Sequence, residues 1–137
     1  MKNIKKREAF TLIELLIVLA IIGALMSIGI PIYTGALESA NATVVASNIR
    51  TIVDGVRMDL MLNGEASETA SAYIQLDNTE INDYHVKYSE SGGKWVIEVG
   101  YDGSMASPEK IKSKLKGCKE IPTDSNSATC VIEIPKL

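Results

Sequence analysis

The sequence is poor in the residues from which most catalytic and metal sites are built. Among 137 residues there is one histidine, His85, and there are two cysteines, Cys118 and Cys130. One imidazole, and two thiols with no histidine beside them, are too few ligands for a zinc centre. No nucleophile motif, phosphate-cradling loop or metal-ligand spacing occurs. An enzyme is therefore not expected, and no catalytic, cofactor or metal residue is assigned. His85 falls on a predicted strand, where a surface or sheet-edge role is expected of it. A net charge of -3 excludes a nucleic-acid binder that works through an overall basic field. With 46% hydrophobic and 23% charged residues the chain is not wholly disordered, and its length predicts one domain.

The most informative absence is local: no charge occurs between Glu14 and Glu38. The 23 residues from Leu15 to Leu37 would rise about 34 Å as a helix, enough to cross a hydrocarbon core of about 30 Å. A buried core helix seldom stays apolar on every face for that length. An ordinary signal peptide has a shorter apolar stretch and no carboxylate just inside its start. Lys2, Lys5, Lys6 and Arg7 outweigh Glu8 before the span, and the body after it is acidic. The positive-inside rule then keeps residues 1–9 in the cytoplasm and exports the body, a single-pass topology.

A plain anchor has no use for Glu14. The segment Ala9-Phe-Thr-Leu-Ile-Glu-Leu-Leu-Ile-Val-Leu-Ala that contains it strongly resembles the N-terminal signature of type IV pilins and type II secretion pseudopilins. In that family a prepilin peptidase removes a basic leader just before a Phe and methylates the new N-terminus. The resemblance implies cleavage between Ala9 and Phe10, N-methylation of Phe10, and an assembly role for Glu14. The residue before the cut is usually Gly; Ala9 is still small, so processing is expected. Cleavage would place a cationic amine at Phe10 at the edge of an apolar environment. Where such helices stack with an axial offset, Glu14 of one subunit meets Phe10 of a neighbour. Pairing makes the burial of both charges tolerable, and a shifted register leaves both unpaired. Glu14 thus reads as a register pin for assembly, against the plainer use of a carboxylate that snorkels to the interface.

Helical patterning continues past the span through Val45, Ile49, Ile52, Val56 and Leu60, with Asn63-Gly64 as a stop. A helix over 10–62 is expected, kinked at Pro31, whose ring removes the bond to the Ser27 carbonyl. The polar stretch from Glu65 to Asp83 reads as a loop, with a short helical turn allowed. Tyr84, Val86 and Tyr88 alternate on one side of Ser91-Gly92-Gly93, and Trp95, Ile97, Val99 and Tyr101 on the other, which predicts a hairpin. Cys130 to Ile134 reads as a further strand. Ser107-Pro108 reads as a helix start with Ser as cap, Ile111 and Leu115 facing inward, and Gly117 ending the turn.

The expected fold class is α+β and pilin-like: a long N-terminal helix packed on a small antiparallel sheet. Residues 1–9 form a leader. Residues 10–62 form the long helix, with its transmembrane and assembly half at 10–37. Residues 63–137 form a globular head that also uses 38–62. Cys118 and Cys130 both lie in the part expected to be exported, where a disulfide is the default. Their pairing also resembles the C-terminal disulfide-bounded loop of many type IV pilins, a feature that major pseudopilins more often lack.

Lys110, Lys112, Lys114, Lys116 and Lys119 crowd one region. A solvated face is the plain reading, and a surface for DNA or host glycans the sharper one. Asp124, Ser125 and Asn126 offer oxygens where pseudopilins bind Ca²⁺ nearby, although a polar turn is the simpler use. Asn41-Ala-Thr43 is a glycosylation sequon discounted for its closeness to the membrane. The resemblance implies a structural subunit of a type IV pilus. It would be inserted in the bacterial inner membrane as a precursor and polymerise through its N-terminal helix into a cell-surface filament. Adhesion, twitching motility or DNA uptake would follow. The implied partners are further copies of the chain, the prepilin peptidase, an assembly ATPase and an inner-membrane platform. The rivals are a type II secretion pseudopilin and a membrane-anchored binding domain that never polymerises.

Overall fold

A computed structural model describes residues 10–119 and 127–136. The chain divides into two compact units, the first ending at Ala36 and the second starting at Leu37. The first helix, α1 (Leu12–Asn63), contributes to both. In the first unit its large apolar side chains all point outward, from 46% exposed at Ile22 to 76% at Leu12. Its Ser27 and Thr34 hydroxyls bond back to the helix. Ser27 Oγ donates to the Ala24 carbonyl at 2.7 Å and Thr34 Oγ1 to the Pro31 carbonyl at 3.0 Å. A span that presents no free donor from these two side chains suits a hydrocarbon solvent. The helix runs through Pro31 without a break.

The second unit is an α+β head. From Ala42 onward α1 buries Val45, Ile49, Ile52, Val56 and Leu60, all near-completely enclosed. Steps of three and four residues set them along one stripe of the helix. Two strands, β1 (Tyr84–Ser91) and β2 (Lys94–Tyr101), pair antiparallel. The register sets Tyr84 opposite Tyr101, Val86 opposite Val99 and Tyr88 opposite Ile97. The residues of expected inward parity therefore face one another. Gly92 and Gly93 make the tight turn at φ values of 59° and 76°, a region open to glycine at no steric cost. The third strand, β3 (Ala128–Pro135), is antiparallel to β2 and completes the order β1-β2-β3. Its inward residues Ala128, Cys130 and Ile134 join the same core as Ile97, Val99 and the α1 stripe.

The polar stretch between helix and sheet is held down by one tyrosine. It contains a 3₁₀ turn at Ala70–Ala72 and the single-turn α2 (Asn78–Ile81). Tyr73 Oη donates to Asp59 Oδ2 at 2.8 Å and accepts from the Ser67 amide at 2.8 Å. Its ring lies on Gly55, where a Cβ would overlap it. A glycine inside a helix costs about 1 kcal/mol against alanine; here it admits the aromatic ring that straps the loop to α1.

The last helix, α3 (Pro108–Lys114), begins at Pro108 as expected. Ser107 sits at the cap position but makes no capping hydrogen bond, so the start rests on the proline. The helix stops one residue short of Leu115, whose backbone is extended, and Gly117 takes φ 83° in the following turn. Ile111 is fully buried, while Leu115 packs at the core margin. Cys118 and Cys130 are joined by a disulfide that ties this segment to β3. The Lys119 amide adds a 2.9 Å bond to the Val131 carbonyl.

A bridge closing so short a loop is worth about 3 kcal/mol in the chain-entropy picture. Cys118→Ser/Cys130→Ser should therefore lower head stability by about that amount. Denaturant titration of the full chain in detergent micelles, followed by Trp95 emission, measures it. An unchanged midpoint would show that the core alone holds this loop.

Candidate assembly site

The N-terminal end of α1 is built from four consecutive features of the sequence. Phe10 is 86% exposed and outside the helix, Thr11 caps it, α1 begins at Leu12, and Glu14 lies in the first turn. Thr11 Oγ1 accepts from the Glu14 amide at 3.2 Å, and the Thr11 amide donates to Glu14 Oε2 at 3.4 Å. This reciprocal pair is a capping box. The sequence reading singled out Glu14 and missed Thr11, although Thr-Leu-Ile-Glu carries the signal, a hydroxyl residue three positions before a carboxylate. A negative side chain in the first turn also suits the helix dipole. Glu14 therefore has a local use before any neighbour is present. One oxygen serves it, since Oε1 takes no hydrogen bond among the described residues.

Ala9, the other side of the expected cleavage, lies outside the described residues, as do Asp124, Ser125 and Asn126. No group of three or more His, Cys, Asp and Glu residues poised to hold a metal is found among those described. His85 is exposed on the edge strand β1, with Nε2 2.7 Å from Asp102 Oδ2. Asn41 is half-buried, and its Nδ2 donates to the Met105 carbonyl at 3.3 Å.

The lysine-rich region resolves into two groups. Lys110 pairs with Glu38 at 3.0 Å and Lys119 with Glu133 at 3.1 Å. Hydrogen bonding and charge from Lys110 hold the Glu38 carboxyl below its ordinary range, with a smaller contribution from Ser107. Lys112, Lys114 and Lys116 form no ion pair among the described residues.

Elsewhere on the head, a cleft of about 360 Å³ is lined by Val44, Asn48, Glu80, Asp83, Tyr84 and Tyr101, among others. The Tyr84 and Tyr101 rings meet at 4.9 Å between centroids, tilted by 49°. Tyr84 Oη accepts from Asn48 Nδ2 at 3.0 Å, and Tyr101 Oη accepts from the Met105 amide at 3.1 Å. Burial pushes both phenols upward, and the nearby Glu80 and Asp83 carboxylates add to the shift. Tyr73 is likewise raised, first by burial and then by its bond to Asp59.

A methylation-type N-terminus on an apolar helix that leads into a small antiparallel head defines the class of pilin-like proteins. The family described as prokaryotic N-terminal methylation motif matches residues 4–30. The chain is also 34% identical over 112 residues to the type IV wide pilus major component PilA4 of Thermus thermophilus, covering 77% of this chain and 86% of that protein. No solved structure matches the chain. This chain belongs to the type IV pilin family, whose members are structural proteins.

Thr11→Ala should weaken the first turn of α1 by about 1 kcal/mol, and Thr11→Ser should retain most of it. Amide exchange at residues 12–15 in micelles reads the difference, and equal protection in both variants would discard the cap. A second expectation concerns pH. The folded phenols of Tyr73, Tyr84 and Tyr101 keep their protons beyond 10.0, where the unfolded ones ionise. Their contribution to stability is complete below that pH and is lost as pH rises through the folded values. Denaturation midpoints measured on either side of pH 10 should fall on the alkaline side; a flat profile contradicts the burial of these hydroxyls.

Proposed function

We propose that this chain is a prepilin that becomes a structural subunit of a type IV pilus. Residues 1–9 are its leader, removed between Ala9 and Phe10 with methylation of the new amine. The observation that carries this reading is the outward-facing apolar surface of α1 up to Ala36. Such a surface needs lipid before assembly and other copies of itself afterwards. Residues 10–37 serve both solvents in turn, while 38–62 belong to the head with 63–137. In the precursor the N-terminus stays cytoplasmic and the head is exported.

Glu14 sets the register. Its Oε1, unbonded among the described residues, is available to the ammonium of a neighbour's Phe10 while Oε2 caps its own helix. Pro31 deprives the Ser27 carbonyl of its usual amide partner and is the place where the helix bends. The peptidase, an assembly ATPase and an inner-membrane platform are the machinery such a subunit uses. Adhesion, twitching motility and DNA uptake are the tasks open to the filament.

Mass spectrometry of filaments sheared from the cell surface tests the reading directly. The expected species is an abundant chain that starts at N-methylated Phe10 and lacks the hydrogens lost in a Cys118–Cys130 bridge. A processed chain confined to the envelope fraction points instead to a pseudopilin, and an uncut chain to an anchored monomeric domain. The role of Glu14 has its own test. Glu14→Gln keeps an acceptor for the Thr11 amide but carries no charge. It should preserve the start of α1 and abolish surface filaments. Wild-type filament yield from this variant would reject the charge pairing.

A further inference from the structure

The head carries two unlike charged surfaces on opposite flanks of α1. At about 100° per residue, Asn48 and Arg50 lie about 200° apart around the helix, so they leave the buried stripe on different sides. On the Asn48 side lies the cleft over Tyr84 and Tyr101. Its apolar edges Val44 and Met105 are 51% and 42% exposed, large fractions for residues beside a core. Glu80 and Asp83 complete it, and neither is in an ion pair among the described residues. On the other side Arg50 donates to the Lys114 carbonyl. There α3 and the turn after it carry half-buried Lys112 and exposed Lys114 and Lys116. Their neighbours Lys110 and Lys119 are neutralised within the chain by Glu38 and Glu133; these three are in no ion pair among the described residues.

Two different patches that face opposite ways cannot meet their counterparts in a two-fold pair. They can meet in head-to-tail series, the arrangement that generates an open helical filament. We propose that the acidic cleft of one head receives the Lys112–Lys116 segment of a second copy of this chain, and that this contact repeats along the filament. The proposal rests on the filament reading above. Opposite charge steers the two surfaces together and penalises like-with-like encounters, while coverage of Val44 and Met105 removes apolar area from water. The lysines then act as a docking edge for another head. DNA and glycans are not needed to explain them.

Charge reversal and cross-linking on filament-forming cells test the contact. Glu80→Lys/Asp83→Lys and Lys114→Glu/Lys116→Glu should each lower sheared filament by about tenfold, with the processed, disulfide-bonded chain still present in the membrane. The combination of all four should restore most of the yield. Because a reversal at half-buried Asp83 could disturb folding, wild-type filaments provide a second readout. A carbodiimide, which joins only touching amines and carboxylates, should link Lys112, Lys114 or Lys116 to Glu80 or Asp83. Such links recovered in covalently dimeric chains join copies.

A combined variant no better than either parent, reversals without effect, or cross-links running from the cleft to a different protein would each overturn the contact. Wild-type cells without filaments would remove the filament reading and this contact together. Wild-type filaments lacking the link and the rescue would remove the contact alone.

Discussion

Everything in this chain answers to one constraint: α1 is uncharged from Leu15 to Leu37 and shows its apolar side chains on all sides. Water is a poor solvent for that surface. A fully exposed Leu or Ile forgoes about 1.5–3 kcal/mol relative to burial, and the span holds more than a dozen large apolar residues. The chain therefore needs either lipid or other copies around it. Ser27 and Thr34 are bonded back to their own helix, and the carboxylate is held at its start.

The head faces the opposite difficulty, a small core of its own. The second half of α1 supplies a stripe of Ala, Val, Ile and Leu, and a three-stranded sheet supplies the facing layer. What surrounds that layer is tied down by specific bonds in place of further apolar bulk. Tyr73 holds the loop through Asp59 and the Gly55 surface, and the disulfide holds the segment after α3 to β3. A disulfide is a common remedy where the apolar core is small.

Thr11 and Glu14 show that the carboxylate is already engaged within its own chain. In the single chain it closes the first turn of α1, so the helix begins at a defined residue. A defined start matters for any register set by charges near that end, because a fraying turn would move the carboxylate. Capping is thus a local condition for whatever pairing occurs between subunits.

Much of this was legible in the residues alone. Periodicities of 3.6 and 2 placed the α1 stripe and the facing residues of β1 and β2, because a half-buried element must repeat its apolar positions at its own geometric period. The expected strand at Cys130–Ile134 proved longer by two residues at one end and one at the other. The charge-free span and the Thr-Leu-Ile-Glu signature identified the family without any contact being known. Tertiary structure alone decided the rest. It showed that Ser107 does not cap α3, that the Tyr73 ring lies where a Cβ on residue 55 would be, and that Glu38 and Glu133 neutralise two of the five lysines while three are unpaired among the described residues. Those facts join positions far apart in the chain, and periodicity reports only on which face a residue occupies. Which partner waits on that face is settled by how α1, the sheet and the loops come together.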